Sequence, residues 1–254
     1  MPTAVPTISS DLLASTGLVM HGISTRRGGV SPEPYGMNLS FRVGDSEDNV
    51  VTNRGLFAGA LGTGVEHFAI PEQRHGAVVR RADAAGRYSS CDGLATDTPG
   101  VFLCITVADC VPILLMDVRR RAIAAIHAGW RGTVKGIAGR GVKLLVREFG
   151  CRPGQMTAFL GPCAGPCCYA VGRDVADRFS TEFVADRDGG TFVDLRAANL
   201  LQLLEAGIPR ALIEVSPHCT IHESGLLHSN RRDGGSSGRM MAAIGLCSPL
   251  NPVR

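Results

Sequence analysis

Apolar positions in this chain fall into short blocks that switch between strand-like and helix-like spacing. Leu18–Thr25 reads as a strand ending on Arg26-Arg27-Gly28-Gly29, a turn signal. Ser46 offers an N-cap for a helix to Leu61, with Asp48 in its first turn and Gly62 just after. Short strands follow near His67–Ile70 and Val78–Ala82. Val101–Val107 and Pro112–Met116 are apolar enough to be buried on both faces, Asp117–Arg121 is a charged turn, and Ala122–Ile126 is another strand. Val134, Ile137, Leu144, Leu145 and Phe149 supply the apolar positions of a helix over Thr133–Phe149, capped by Gly150. Gly136, Gly139 and Gly141 weaken that helix, which predicts close packing against a neighbour. A strand at Met156–Leu160, helices at Arg173–Phe183 and Asp194–Ala206, and strands at Leu212–Val215 and Met240–Ile244 complete the series. No linker, repeat or low-complexity tract interrupts it, so residues 1–254 read as a single α/β domain.

Composition narrows the function classes. With 44% hydrophobic and 19% charged residues, the chain is an ordinary globular one. A net charge of +3, from 26 basic and 23 acidic residues, is too balanced for a nucleic-acid platform or a polybasic membrane anchor. Pro2, Pro6 and Asp11 argue against a secretory signal in the first twenty residues. The most apolar window, Val101–Val118, contains Asp109, and a charge at bilayer depth costs about 2.5–3.5 kcal/mol. That window reads as buried strands. Nine cysteines, an odd number, fit free thiols in a cytoplasmic protein better than disulfides.

Three short segments concentrate chemistry where strands end: Gln73-Arg74-His75-Gly76, Thr106-Val107-Ala108-Asp109-Cys110-Val111-Pro112 and His127-Ala128-Gly129-Trp130-Arg131-Gly132. His75, Cys110 and His127 offer two imidazoles and a thiolate, the donor set of a zinc centre with an open fourth position. The same residues also suit a cysteine hydrolase with Cys110 as nucleophile and His75 or His127 as base. Cys163, Cys167 and Cys168 read as small buried thiols in a tight Gly-Pro turn, with a second metal cluster as the alternative. Arg26, Arg131, Arg231 and Arg232 lie in or beside glycine-rich loops, where a guanidinium binds phosphate or carboxylate bidentately. Asp109 is placed either to orient a ligand and move a proton or to cap a turn. No Walker loop, dinucleotide fingerprint or His-Glu-x-x-His helix occurs.

Together with His21-Gly22-Ile23-Ser24-Thr25-Arg26, Asn38-Leu39-Ser40, Gly165-Pro166-Cys167-Cys168-Tyr169, Cys219-Thr220 and Ser229-x-Arg231-Arg232-Asp233, these segments resemble the multicopper polyphenol oxidase or laccase-domain family. Its members are also described as unconventional purine nucleoside phosphorylases and as a peptidoglycan-editing factor. The resemblance implies a compact α/β (α+β) domain of mixed sheets flanked by helices, layered α/β/β/α. It also implies His75, Cys110 and His127 as metal ligands. Arg26, Asn38, Arg131, Arg231 and Arg232 are the candidate substrate or phosphate contacts. The implied reactions are phosphorolysis of adenosine, inosine, guanosine and methylthioadenosine, and deamination of adenosine. Arg74 and Ala170 depart from the family pattern, where an apolar residue and a glutamate are usual.

The residues permit some of these readings better than others. A multicopper oxidase holds its copper centres with many histidines, several as His-x-His pairs, whereas this chain has 7 histidines and no such pair. One N₂S site suits zinc, with copper as the alternative metal. The expected partners are a nucleoside and phosphate, with no nucleic acid and no membrane. A peptidoglycan-precursor hydrolase is the main rival.

Overall fold

Period-two alternation on the central strands generates the layers. Along Met240–Leu246, residues Met240, Ala242, Ile244 and Leu246 enter one apolar core while Met241 and Ala243 enter another. Along Val111–Asp117, Ile113 and Leu115 face one core and Leu114 and Met116 the next. A sheet apolar on both faces must be covered on both, since fully burying one such side chain contributes about 1.5–3 kcal/mol.

The computed structural model describes residues 5–187 and 189–247. In chain order its strands are β1 (Thr7–Ile8), β2 (Val19–Ser24), β3 (Phe68–Pro71), β4 (Val79–Arg81), β5 (Gly86–Tyr88), β6 (Gly93–Thr96), β7 (Phe102–Val107) and β8 (Val111–Asp117). There follow β9 (Ala122–Ala128), β10 (Met156–Leu160), β11 (Ala170–Val171), β12 (Val184–Arg187), β13 (Gly190–Val193), β14 (Ile213–Val215) and β15 (Met240–Leu246). The helices are α1 (Asp11–Ala14), α2 (Glu47–Ala60), α3 (Trp130–Val134), α4 (Ile137–Phe149), α5 (Arg173–Ala176) and α6 (Leu195–Glu205).

One mixed sheet runs β1-β2-β15-β7-β3-β5, a second runs β14-β10-β8-β9-β6-β4, and a small sheet pairs β11-β13-β12. Between the large sheets, Leu103, Ile105, Leu114, Met116, Ile123, Ala242 and Ile244 interleave. Helix α2 covers the first sheet with Phe57, Ala58 and its C-cap Leu61, against Cys104, Met241 and Ala243. Helices α4 and α6 cover the second with Ile137, Val142, Leu145 and Leu203. The order is therefore α/β/β/α in one compact unit, as expected. Among the described residues, no helix is long and apolar enough to cross a membrane.

Two helices differ from the expectation. The stretch Thr133–Phe149 is not continuous: α3 starts earlier, at Trp130, and Gly136 at φ 74° turns the chain into α4. Only a glycine adopts that left-handed conformation without penalty. The stretch Arg173–Phe183 forms only the one-turn α5, and a 3-10 turn follows at Thr181–Phe183. It buries Ala176 alone, too little apolar surface to sustain a longer helix. Strands β5 and β6 and the small sheet have no counterpart in the sequence reading.

The expected close packing of α4 holds at one glycine of the three. A Cβ on Gly141 would lie 2.1 Å from Ile126 Cδ1, in a fully buried contact with β9, whereas one on Gly139 would meet only Gln202 O at 3.9 Å. Gly141→Val should therefore destabilise the protein by about 1–3 kcal/mol through overpacking. Gly139→Ala should stabilise it by up to about 1 kcal/mol through helix propensity. Urea midpoints measure both, and the same sign for the two would contradict this packing.

Candidate metal centre and its cleft

Strand pairing assembles the three chemistry-bearing segments at one end of the sandwich. Residues 108–110 carry the chain from β7 in the first sheet to β8 in the second. The antiparallel pairing of β8 with β9 sets Val111 opposite Ala128 and Pro112 opposite His127, so Cys110 emerges beside His127 and Gly129. On the other side of β9, β6 sets Gly93 opposite Ile126, and the His127 N–H donates to the Asp92 carbonyl at 2.7 Å.

Asp92 ties the arrangement together. Its buried carboxylate accepts from the backbone N–H groups of His75 at 2.8 Å, Gly76 at 2.7 Å and Arg74 at 3.2 Å. It also lies 3.0 Å from His127 Nδ1. That contact leaves His127 Nε2 facing the centre, and the amide contacts hold His75 in a left-handed backbone conformation at φ 54°. Gln73 anchors the same loop to β7, donating to the Thr106 carbonyl at 2.8 Å and accepting from the Thr106 N–H at 2.9 Å.

The ligand atoms of His75, Cys110 and His127 lie within 4.8 Å of one another. The two imidazole rings meet edge to face, with centroids 4.9 Å apart. Tetrahedral bonds of about 2.0–2.3 Å need ligand atoms about 3.3–3.8 Å apart, so small side-chain adjustments suffice for one metal ion. The space is kept open by Gly129, where a Cβ would stand 3.0 Å from Cys110 Sγ and 3.3 Å from His75 Cδ2. Two imidazoles, one thiolate and a carboxylate behind one imidazole fit a thiophilic divalent ion with an open position.

The charges agree with that donor set. Burial raises the Cys110 thiol, but the adjoining imidazoles of His127 and His75 outweigh it and hold the thiol at about 6. Burial lowers His127, but the Cys110 thiolate and the Asp92 carboxylate outweigh it and raise the imidazole to about 9. Without a metal, the pair at neutral pH is thiolate and imidazolium.

A cleft of about 430 Å³ opens in front of this cluster, lined by Asp109, Trp130, Arg131, Tyr169, Arg231 and Arg239 among others. The Arg131 guanidinium lies 4.3 Å from the centroid of the Trp130 ring, and that of Arg231 lies 5.3 Å from that of Tyr169. Both oxygens of Asp109 are occupied, by the Thr220 hydroxyl and the Arg231 N–H, each at 2.7 Å. Asp109 therefore positions Arg231 and caps its turn.

Other expected contacts lie elsewhere. Arg26 pairs with Glu33 and lines a separate cleft. Arg232 spends its guanidinium on the Thr220 and Leu227 carbonyls and on Asp233. Asn38 is fully buried and holds Ser40 and the Arg239 N–H, so it shapes the cleft from behind. Arg74 turns away to Glu72, and Ala170 offers its carbonyl to Arg231. Cys163 is buried as expected, but Cys167 is exposed, and it clusters with Cys168 and Cys219. Asp92 and Arg239 were missed by the sequence reading; the only local signal for Asp92 is the short run Gly93-Leu94-Ala95 after it.

Metal-free protein tests the electrostatics. Alkylation of Cys110, followed against pH, should rise with a midpoint near 6 in the wild type. In His127→Gln, burial is no longer outweighed and the midpoint should move above the ordinary thiol value of about 8.5. A wild-type midpoint at that ordinary value would contradict the thiolate–imidazolium pair.

Residues 20–247 match the family model described as multi-copper polyphenol oxidoreductase laccase. The chain is 43% identical over 233 residues to a purine nucleoside phosphorylase of Deinococcus radiodurans, covering 90% of this chain and 89% of that one. It is 34% identical over 249 residues to an adenosine deaminase from an unknown prokaryotic organism, covering 89% and 93%. The crystal structure of YlmD from Geobacillus stearothermophilus superposes with a TM-score of 0.88 at 36% identity, covering 94% of each chain. With nearly its whole length matched in sequence and in fold, this chain belongs to the multi-copper polyphenol oxidoreductase laccase family, among whose relatives are purine nucleoside phosphorylases.

Proposed function

We propose that this protein is a zinc-dependent purine nucleoside phosphorylase that also deaminates adenosine. The observation that carries the reading is the His75–Cys110–His127 cluster opening into an arginine-bearing cleft of about 430 Å³. The names of the relatives, several phosphorylases and one deaminase, support it. The proposed substrates are adenosine, inosine, guanosine and methylthioadenosine.

His75, Cys110 and His127 would hold the ion, which when bound supplies a Lewis acid that acidifies water at its open position. The chain's own residues do the rest. Asp92 keeps His127 in one tautomer and keeps the His75 loop in place. Trp130 and Tyr169, each already faced by a guanidinium, wall the cleft with flat surfaces that suit a purine ring. Arg131 and Arg231 bring positive charge to the cleft, where they suit the oxygens of the nucleoside. Zinc fits the two-imidazole, one-thiolate set, and 7 histidines are too few for an oxidase built on several copper centres. All nine cysteines are unpaired, as a reducing cytoplasm would leave them.

Product analysis tests the reading. Inosine should yield hypoxanthine and ribose 1-phosphate only when phosphate is added, and adenosine should yield inosine without it. Cys110→Ala should abolish both together. Inosine unchanged by zinc-loaded protein in phosphate would overturn the phosphorylase reading in favour of a hydrolase acting on peptidoglycan precursors.

A further inference from the structure

A second pocket opens off the cleft and shares Ser40, Arg42, Gln73 and Thr106 with it. Its volume is about 60 Å³, against about 430 Å³ for the cleft. That is room for a few waters or one tetrahedral oxyanion, and too little for a nucleoside. Arg54 from α2 and Arg87 from β5 join Arg42 in its wall.

The charges there are not balanced. Arg54 is held rigidly, donating from Nε to the Leu39 carbonyl at 2.9 Å and lying 4.5 Å from the centroid of the Phe41 ring. Among the described residues, no carboxylate lies within 4.0 Å of either Arg54 or Arg87. Arg42 reaches Glu72 only at 3.4 Å, and Glu72 is shared with Arg74 at 2.7 Å. Burial first, and the charge of Arg87 with it, bring Arg54 down to about 10, with Cys104 offsetting part of this. Arg26 and Arg232, by contrast, each have an acidic partner. A half-buried guanidinium without a counter-charge is costly unless an anion completes it.

Ser40 adds a hydroxyl. Its Oγ accepts from the Arg42 N–H at 3.2 Å, which leaves its own proton free to donate. Asn38 fixes Ser40 by accepting from its N–H at 3.1 Å, so the hydroxyl is set in place before any ligand arrives. The shared wall reaches Gln73, two residues from His75, so an ion in this pocket borders the nucleoside cleft.

We propose that this pocket is the phosphate subsite, with Arg54, Arg87 and Arg42 supplying charge and the Ser40 hydroxyl a further hydrogen bond. The identity of the ion rests on the phosphorylase reading, while the existence of an oxyanion site does not. Arg131 and Arg231 then face the nucleoside.

The test uses inorganic phosphate and zinc-loaded protein, wild type, Arg54→Gln and Arg87→Gln, with Arg147→Gln as a control for lost surface charge. Arg87 is exposed, so its replacement does not threaten the fold. Two readouts are taken: phosphate-dependent thermal stabilisation, and the separate KM values for phosphate and inosine. Losing one charge-assisted contact should raise the KM for phosphate tenfold or more in both variants, with a much smaller change for inosine. Phosphate should stabilise wild type and Arg147→Gln far more than the two variants. Equal stabilisation and an unmoved KM for phosphate in Arg54→Gln and Arg87→Gln would overturn the subsite while leaving the phosphorylase reading intact. Phosphate binding that is lost in the variants, by an enzyme that never cleaves inosine, would keep the oxyanion site and remove the phosphorylase reading.

Discussion

The buried carboxylate of Asp92 is the constraint on which the functional end of this fold depends. It accepts three consecutive backbone amides from the His75 loop and contacts the ring of His127, so one side chain orients two of the three ligand-type residues. Buried charge is tolerated only where it is paired and hydrogen-bonded, and Asp92 meets that condition entirely through the groups it positions. Its carboxyl is held below the usual range because the His127 contact and the amides outweigh the effect of burial. Cys110 depends on the same arrangement indirectly, since its thiolate is stabilised by an imidazolium that Asp92 supports.

Around this centre, buried polar side chains hold the loop backbone in place, and Arg231 and Arg239 are steadied by the Ala170 and Ser237 carbonyls. Asn38 fixes Ser40 and Arg239, Asp109 fixes Arg231, and Arg232 holds the Thr220 carbonyl. Glycine does the complementary work of leaving space. Gly129 keeps its Cα beside the thiolate, and a Cβ on Gly132 would come within 2.6 Å of the Gly76 carbonyl, displacing the His75 loop. The layers beneath are ordinary apolar packing, and they leave the strand ends rigid enough to carry this arrangement.

Much of this was legible in the sequence, for physical reasons that differ by element. The buried strands at Val101–Val107 and Pro112–Met116 announce themselves by continuous apolar runs, and α2 by its Ser46 cap, whose side chain accepts from the Asn49 N–H. His75, Cys110 and His127 stand out because they follow such runs, and strand ends converge. Strand β6 was not legible, because Gly93–Thr96 is four residues long and shows no alternation. Missing β6 meant missing Asp92, whose importance comes from the pairing with β9 that sequence spacing does not display. The arginines failed differently: Arg26 and Arg232, in glycine-rich segments, look like free anion binders until the fold brings the Ser224 carbonyl and Glu33 to the first and the Thr220 carbonyl and Asp233 to the second. Arg54 and Arg87 gave no signal at all, since an unbalanced charge is a property of the folded surface.

The claim at the centre is that His75, Cys110 and His127 form a three-ligand metal site with one position left open. X-ray absorption at the zinc edge of the purified protein reads the ligand shell directly. One sulfur at about 2.3 Å and three nitrogen or oxygen neighbours at about 2.0–2.1 Å is the result the geometry predicts, and Cys110→Ser should remove the sulfur alone. A shell without sulfur, or one with the three sulfurs of the Cys167, Cys168 and Cys219 cluster, would contradict it.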